Sequence, residues 1–64
     1  MLNNIKTLRS ELKLTQEELG KRCQVSRQTI NAIENNKYDP TLPLAMKLAK
    51  VLGTTVEDLF IMKD

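Results

Sequence analysis

A chain of 64 residues with a formal net charge of +2 is one small domain, near the lower size limit for folding unaided. Its 41% hydrophobic content, with only 3% aromatic residues and two glycines, favours packed helices over a sheet. A single cysteine excludes an intramolecular disulfide framework, no apolar run approaches the ~18 residues of a membrane span, and no histidine is available for catalysis or zinc.

Ile5, Leu8 and Leu12 recur at three- and four-residue spacing and predict an amphipathic helix over about residues 3–13, capped by Asn3 or Asn4. Thr15 with Glu18 has the capping-box pattern and starts a second helix, with Leu19 and Cys23 on one face. That helix must stop near Cys23, because Ser26 already caps a third, whose apolar stripe is Ile30 and Ile33. The third ends around Asn35-Asn36, and Asn36 suits a left-handed C-terminal position. KYDPTLP, residues 37–43, reads as a loop. Within it Thr41 caps a fourth helix, with Pro43 in the first turn and Leu44, Ala45, Leu48, Ala49 and Leu52 behind it. Gly53 ends this helix, and Thr55 with Asp58 starts a short fifth bearing Val56, Leu59 and Phe60. The expected fold is all-α, a single domain over residues 1–64.

The junction between the second and third helices is the informative one. About three residues separate them, too few for an overlapping antiparallel hairpin, so the two helices must cross steeply as a helix-turn-helix. Gly20 lies inside the second helix, where glycine costs about 0.5–1 kcal/mol relative to alanine. Close approach of the third helix to that face is the expected compensation, with Val25 plugging the angle between them. The third helix then opens with Arg27, Gln28 and Thr29 and no acid. A cation at a helix N-terminus is disfavoured by about 0.3–1 kcal/mol when exposed, so the arginine asks for an external anion. Charge distribution points the same way. Residues 1–37 carry seven cations against four acids, a net +3, whereas residues 38–64 carry three against four, a net −1.

Catalysis finds no constellation in this inventory. The adjacent acids Glu17-Glu18 and Glu57-Asp58 fall in first turns of helices, where dipole and capping account for them. No metal site, cofactor or small-molecule ligand is expected. Cys23 sits at a core position, where cysteine behaves as a small hydrophobe.

The segments TQEELGKRCQVSRQTINAIENNKYDPTL (residues 15–42) and LAMKLAKVLGTTVEDLF (residues 44–60) together resemble the lambda-repressor-like helix-turn-helix family. Within it the chain is most similar to the compact Cro/C1-type, or Xre, transcriptional regulators. The resemblance spans about Ile5 to Phe60, with the helix-turn-helix over about residues 15–35. It implies five helices, with residues 27–35 as a recognition helix in the major groove, and a two-fold dimer on a palindromic operator. By position it assigns base-facing roles to Arg27, Gln28 and Ala32, with Thr29 and Asn31 beside them. Phosphate contacts fall on Gln16, Ser26, Asn35 and Lys37, and Arg9 with Glu34 forms an ion pair tying the first helix to the third. Two positions depart from the family pattern: Gln24 and Asn36 stand where many members have glycine, so a positive φ at Gln24 carries strain. Ala32 offers at most a contact to a thymine methyl. Arginine can bond guanine bidentately and glutamine adenine, which fits Arg27 and Gln28 to base readout.

At the C-terminal end Val56, Leu59, Phe60, Ile61 and Met62 supply more apolar side chains than one short helix buries internally, so residues 55–64 are the expected homodimer interface. The functional expectation is a sequence-specific regulator of double-stranded DNA, most often a repressor, cytoplasmic and nucleoid-associated. The competing class is an antitoxin-type or other protein-interaction module on the same fold.

Overall fold

Local hydrogen bonding sets where each helix begins. The computed structural model describes residues 1–61 and contains β1 (Leu2–Asn3), α1 (Ile5–Glu11), α2 (Gln16–Cys23), α3 (Arg27–Glu34), α4 (Leu42–Val51), α5 (Val56–Leu59) and β2 (Phe60–Ile61). The side chains of Thr15, Ser26, Thr41 and Thr55 each accept the backbone N–H three residues on, capping α2, α3, α4 and α5. At α2 the capping box is complete, since the Thr15 N–H also donates to Glu18 Oε1 at 2.8 Å. Pro43 falls in the first turn of α4, where its missing N–H costs nothing.

α1 is shorter than its periodicity predicts, and its N-cap Asn4 makes no side-chain capping bond. Instead Asn3 Oδ1 accepts the Ile5 N–H at 3.1 Å, while Asn4 Nδ2 donates to the Asp58 carbonyl at 3.1 Å. The helix stops at Glu11 because Lys13 turns left-handed, with φ 59°. Leu12, expected on the apolar stripe, is therefore half exposed.

The same device ends three more helices, with Gln24 at φ 63°, Asn36 at 61° and Gly53 at 71°. After α3 it is a full Schellman pair: the Asn36 N–H donates to the Ile33 carbonyl at 3.1 Å and the Lys37 N–H to the Ala32 carbonyl at 2.9 Å. Three of these four positions are not glycine, and each left-handed L-residue costs roughly 1–2 kcal/mol.

Ile5, Leu19, Cys23, Ile30, Ile33, Leu48 and Leu59 are fully buried and form the centre of the core. Leu44, Ala45, Ala49, Leu52 and Phe60 close it, with Leu8, Val25, Val51 and Val56 packed around the edge. Composition argued against a sheet, yet a two-stranded antiparallel one ties the chain ends together, pairing Leu2 with Ile61 and Asn3 with Phe60. Phe60, expected in the fifth helix, is thus in β2; it is 7% exposed and faces the core, while Ile61 on the opposite face is 43% exposed.

Candidate nucleic-acid interface

The interface begins at the turn between α2 and α3. A Cβ on Gly20 would stand 2.7 Å from the Val25 carbonyl oxygen and 3.3 Å from the Ser26 carbonyl carbon. The close approach expected at this glycine is real, but it is made by the backbone of the turn and not by α3 itself. Val25 is half-buried in the angle, and Gln24 takes the left-handed φ with its Oε1 accepting from Lys47 Nζ at 2.9 Å. This turn projects α3 outward, with Ile30 and Ile33 buried and the opposite face open.

Arg27 and Gln28 stand exposed at the start of α3 and, with Asn31, line an open groove of about 250 Å³. Among the described residues neither the Arg27 nor the Gln28 side chain makes an intramolecular hydrogen bond. The first turn of α3 holds a cation and no acid, whereas that of α2 holds Glu17 and Glu18. Lys6 places a cation in the first turn of α1 as well, so the cation alone does not single out α3. The distinguishing feature is a cation and an amide together, unengaged and beside a groove.

Of the other expected contact residues, Ser26, Thr29 and Asn35 are more committed. Ser26 Oγ accepts the Thr29 N–H at 3.1 Å and bonds Thr29 Oγ1 at 3.1 Å, which occupies both hydroxyls with capping. Ala32 is half-buried at the edge of the exposed face. Asn35 Nδ2 donates to the Asn31 carbonyl at 2.9 Å and to Asn31 Oδ1 at 3.2 Å. Lys37 is exposed just past the helix end.

Beneath this surface Arg9 and Glu34 pair bidentately, Nε to Oε2 at 2.8 Å and Nη2 to Oε1 at 3.3 Å, with side chains only 13% and 4% exposed. A third Arg9 bond, Nη1 to the Leu14 carbonyl at 2.8 Å, satisfies the chain leaving α1. Gln16 Nε2 donates to Glu34 Oε1 at 3.0 Å, and Asn31 Nδ2 donates to Gln16 Oε1 at 3.4 Å. Sequence reasoning missed one support of this frame: Asn3 Nδ2 donates to the Ile33 carbonyl at 2.9 Å and to Asn36 Oδ1 at 3.3 Å. Asn3 thereby fastens β1 to the end of α3. Thirty residues separate Asn3 from Ile33, and no local pattern signals such a bond.

Two titrating groups of α2 take no part in the candidate interface. The Thr15 N–H and hydroxyl hold the Glu18 carboxyl below its ordinary value, as its cap role requires. Burial pushes the Cys23 thiol up, against a smaller opposing pull from Lys47, so it is a core residue and not an activated thiol. At the other end of the molecule the expected dimer residues divide. Leu59 and Phe60 are spent on the monomer's own core; Val56 is half-buried and Ile61 exposed, while Met62 lies outside the described residues.

The helix-turn-helix family pattern matches residues 5–59. The chain belongs to the Cro/C1-type helix-turn-helix family of transcriptional regulators. It is 55% identical over 64 residues, covering 97% of the relative, to an uncharacterized HTH-type transcriptional regulator of Methanocaldococcus jannaschii. It is 38% identical over 52 residues to the immunity repressor protein of Bacillus phage phi105, of which it covers 36%. Among solved structures, a hypothetical transcription factor from Neisseria superposes with a TM-score of 0.80 at 27% identity, over 86% of this chain. The chain spans 62% of the length of that solved protein.

Proposed function

We propose that this family member is a sequence-specific double-stranded DNA-binding regulator that occupies a palindromic operator as a homodimer and represses transcription. The observation that carries the reading is the pair Arg27 and Gln28, exposed at the outward end of α3 with uncommitted side chains beside an open groove. Arginine matches guanine O6 and N7, and glutamine matches adenine N6 and N7, so both side chains suit base edges in the major groove. Thr29 and Ala32 border this reading edge, with Ala32 limited to a thymine methyl. Gln16, Asn35 and Lys37 flank the helix and would fix its register on the phosphates, with Ser26 contributing through the helix start it caps. The phage relative is an immunity repressor, which supports the repressor half of the reading. A nucleoid-associated, cytoplasmic site of action follows from the same reading, and no cofactor or small-molecule ligand enters it.

Selection from a random duplex pool, followed by fluorescence anisotropy at two salt concentrations, tests the proposal. The selected duplex should bind about 10³-fold or more tightly than random DNA at the same salt, with half-sites about 34 Å or a multiple apart. Equal affinity for selected and random duplexes would sink the reading.

A further inference from the structure

The geometry points to Asn31 as a positioning residue for the Gln16 phosphate contact, not a reader of bases, acting through a one-way chain of side-chain amides anchored on the buried Glu34 carboxylate. This rests on the DNA-binding reading above and reassigns one residue within it.

The direction of the chain follows from chemistry. The Glu34 carboxylate is 4% exposed and clamped on both oxygens by Arg9, so it cannot swing away. A carboxylate only accepts hydrogen bonds, so Gln16, 3.0 Å from Oε1, must turn its nitrogen toward it. That turns Gln16 Oε1 outward, where only a donor can satisfy it, and Asn31 Nδ2 lies there at 3.4 Å. With its nitrogen aimed at α2, Asn31 has its oxygen on the other side, accepting from Asn35 Nδ2 at 3.2 Å. Every amide from Asn35 to Gln16 is therefore oriented by one buried charge.

What each residue has left decides its role. Gln16 retains one Nε2 proton, a donor, which suits a phosphate oxygen. Reading adenine bidentately requires an asparagine to direct its oxygen and an amide proton together at the base edge. Asn31 already spends one Nδ2 proton across to α2 and one Oδ1 lone pair along α3, so swinging its amide round to a base edge would break both bonds. Arg27 and Gln28, by contrast, have no such commitments among the described residues.

The test uses the full chain, the selected duplex and its single-base variants, with Asn31→Ala, Gln16→Ala and the double variant. In the free protein, Asn31→Ala should move the Gln16 side-chain amide resonances while leaving the thermal melt unchanged. On DNA it should weaken binding to the selected duplex and to every single-base variant by the same factor, about tenfold. In the Gln16→Ala background it should add nothing further. A loss of preference at one base pair, multiplying losses in the double variant, or unchanged affinity would each overturn the assignment while leaving DNA binding intact. Wild-type protein that prefers no duplex would instead overturn the DNA-binding reading, and the assignment with it.

Discussion

Arg27 and Lys37 are exposed cations at opposite ends of α3, and the proposed reading gives them different tasks. Arg27 lines the groove beside Gln28, and its planar fork suits a base edge on the proposed reading; Lys37 closes the Schellman turn and carries a point charge. Arg27→Ala should cost about 1–3 kcal/mol on the selected duplex and relax preference at one base pair. Equal losses on selected and random DNA would reduce Arg27 to a phosphate clamp. Lys37→Ala should weaken all duplexes uniformly and flatten the slope of log affinity against log salt by about one unit, and an unchanged slope would remove it from the contact set. The exposure of Arg27 and Lys37 was legible in the sequence because, among the described residues, neither side chain makes a hydrogen bond or ion pair. Asn31 was not fully legible, since its commitment to Gln16 depends on a partner that only the fold of α2 brings close.

At the scale of elements, Gly20 is the position on which the α2–α3 angle depends. Alanine is the better helix former by about 0.5–1 kcal/mol, so an isolated helix would gain from Gly20→Ala. Here the new methyl meets the Val25 carbonyl oxygen at 2.7 Å, and that segment is held by the Val25 N–H donating to the Gly20 carbonyl at 2.9 Å and by the Ser26 cap. The overlap should win, lowering stability by about 1–3 kcal/mol in urea denaturation, and a stabilised variant would mean that the turn yields easily. Helix starts were legible because each is a local side-chain signal, as at Thr15, Ser26, Thr41 and Thr55. Helix ends were read at Asn36 and Gly53, where the residue tolerates φ > 0, and near Cys23, where the next cap forces a stop, while Lys13 gave no sign of its left-handed turn. The strands could not be read at all. Each is two residues long, and their pairing joins opposite ends of the chain, where no periodicity reaches.

For the whole molecule, the sheet sorts the C-terminal apolar residues into those that close the monomer and those free for a partner. Leu2 and Ile61 are opposite one another on the outer face, 41% and 43% exposed, whereas Phe60 points inward. Phe60→Ala should cost about 3–5 kcal/mol, a large share of the stability of so small a domain, and lower the thermal midpoint sharply. If the outer pair contributes to the proposed dimer, Ile61→Lys should leave the melt intact and single half-site binding unchanged while weakening binding to a two-half-site duplex. Equal effects on both duplexes would remove Ile61 from the interface. Mapping amide chemical-shift changes as a selected duplex is added to labelled protein shows whether α3 and its flanks face the DNA. The largest changes should fall on Gln16 and residues 26–37. Changes concentrated instead around the exposed Leu42 and Met46 of α4, with residues 26–37 unmoved, would contradict that orientation.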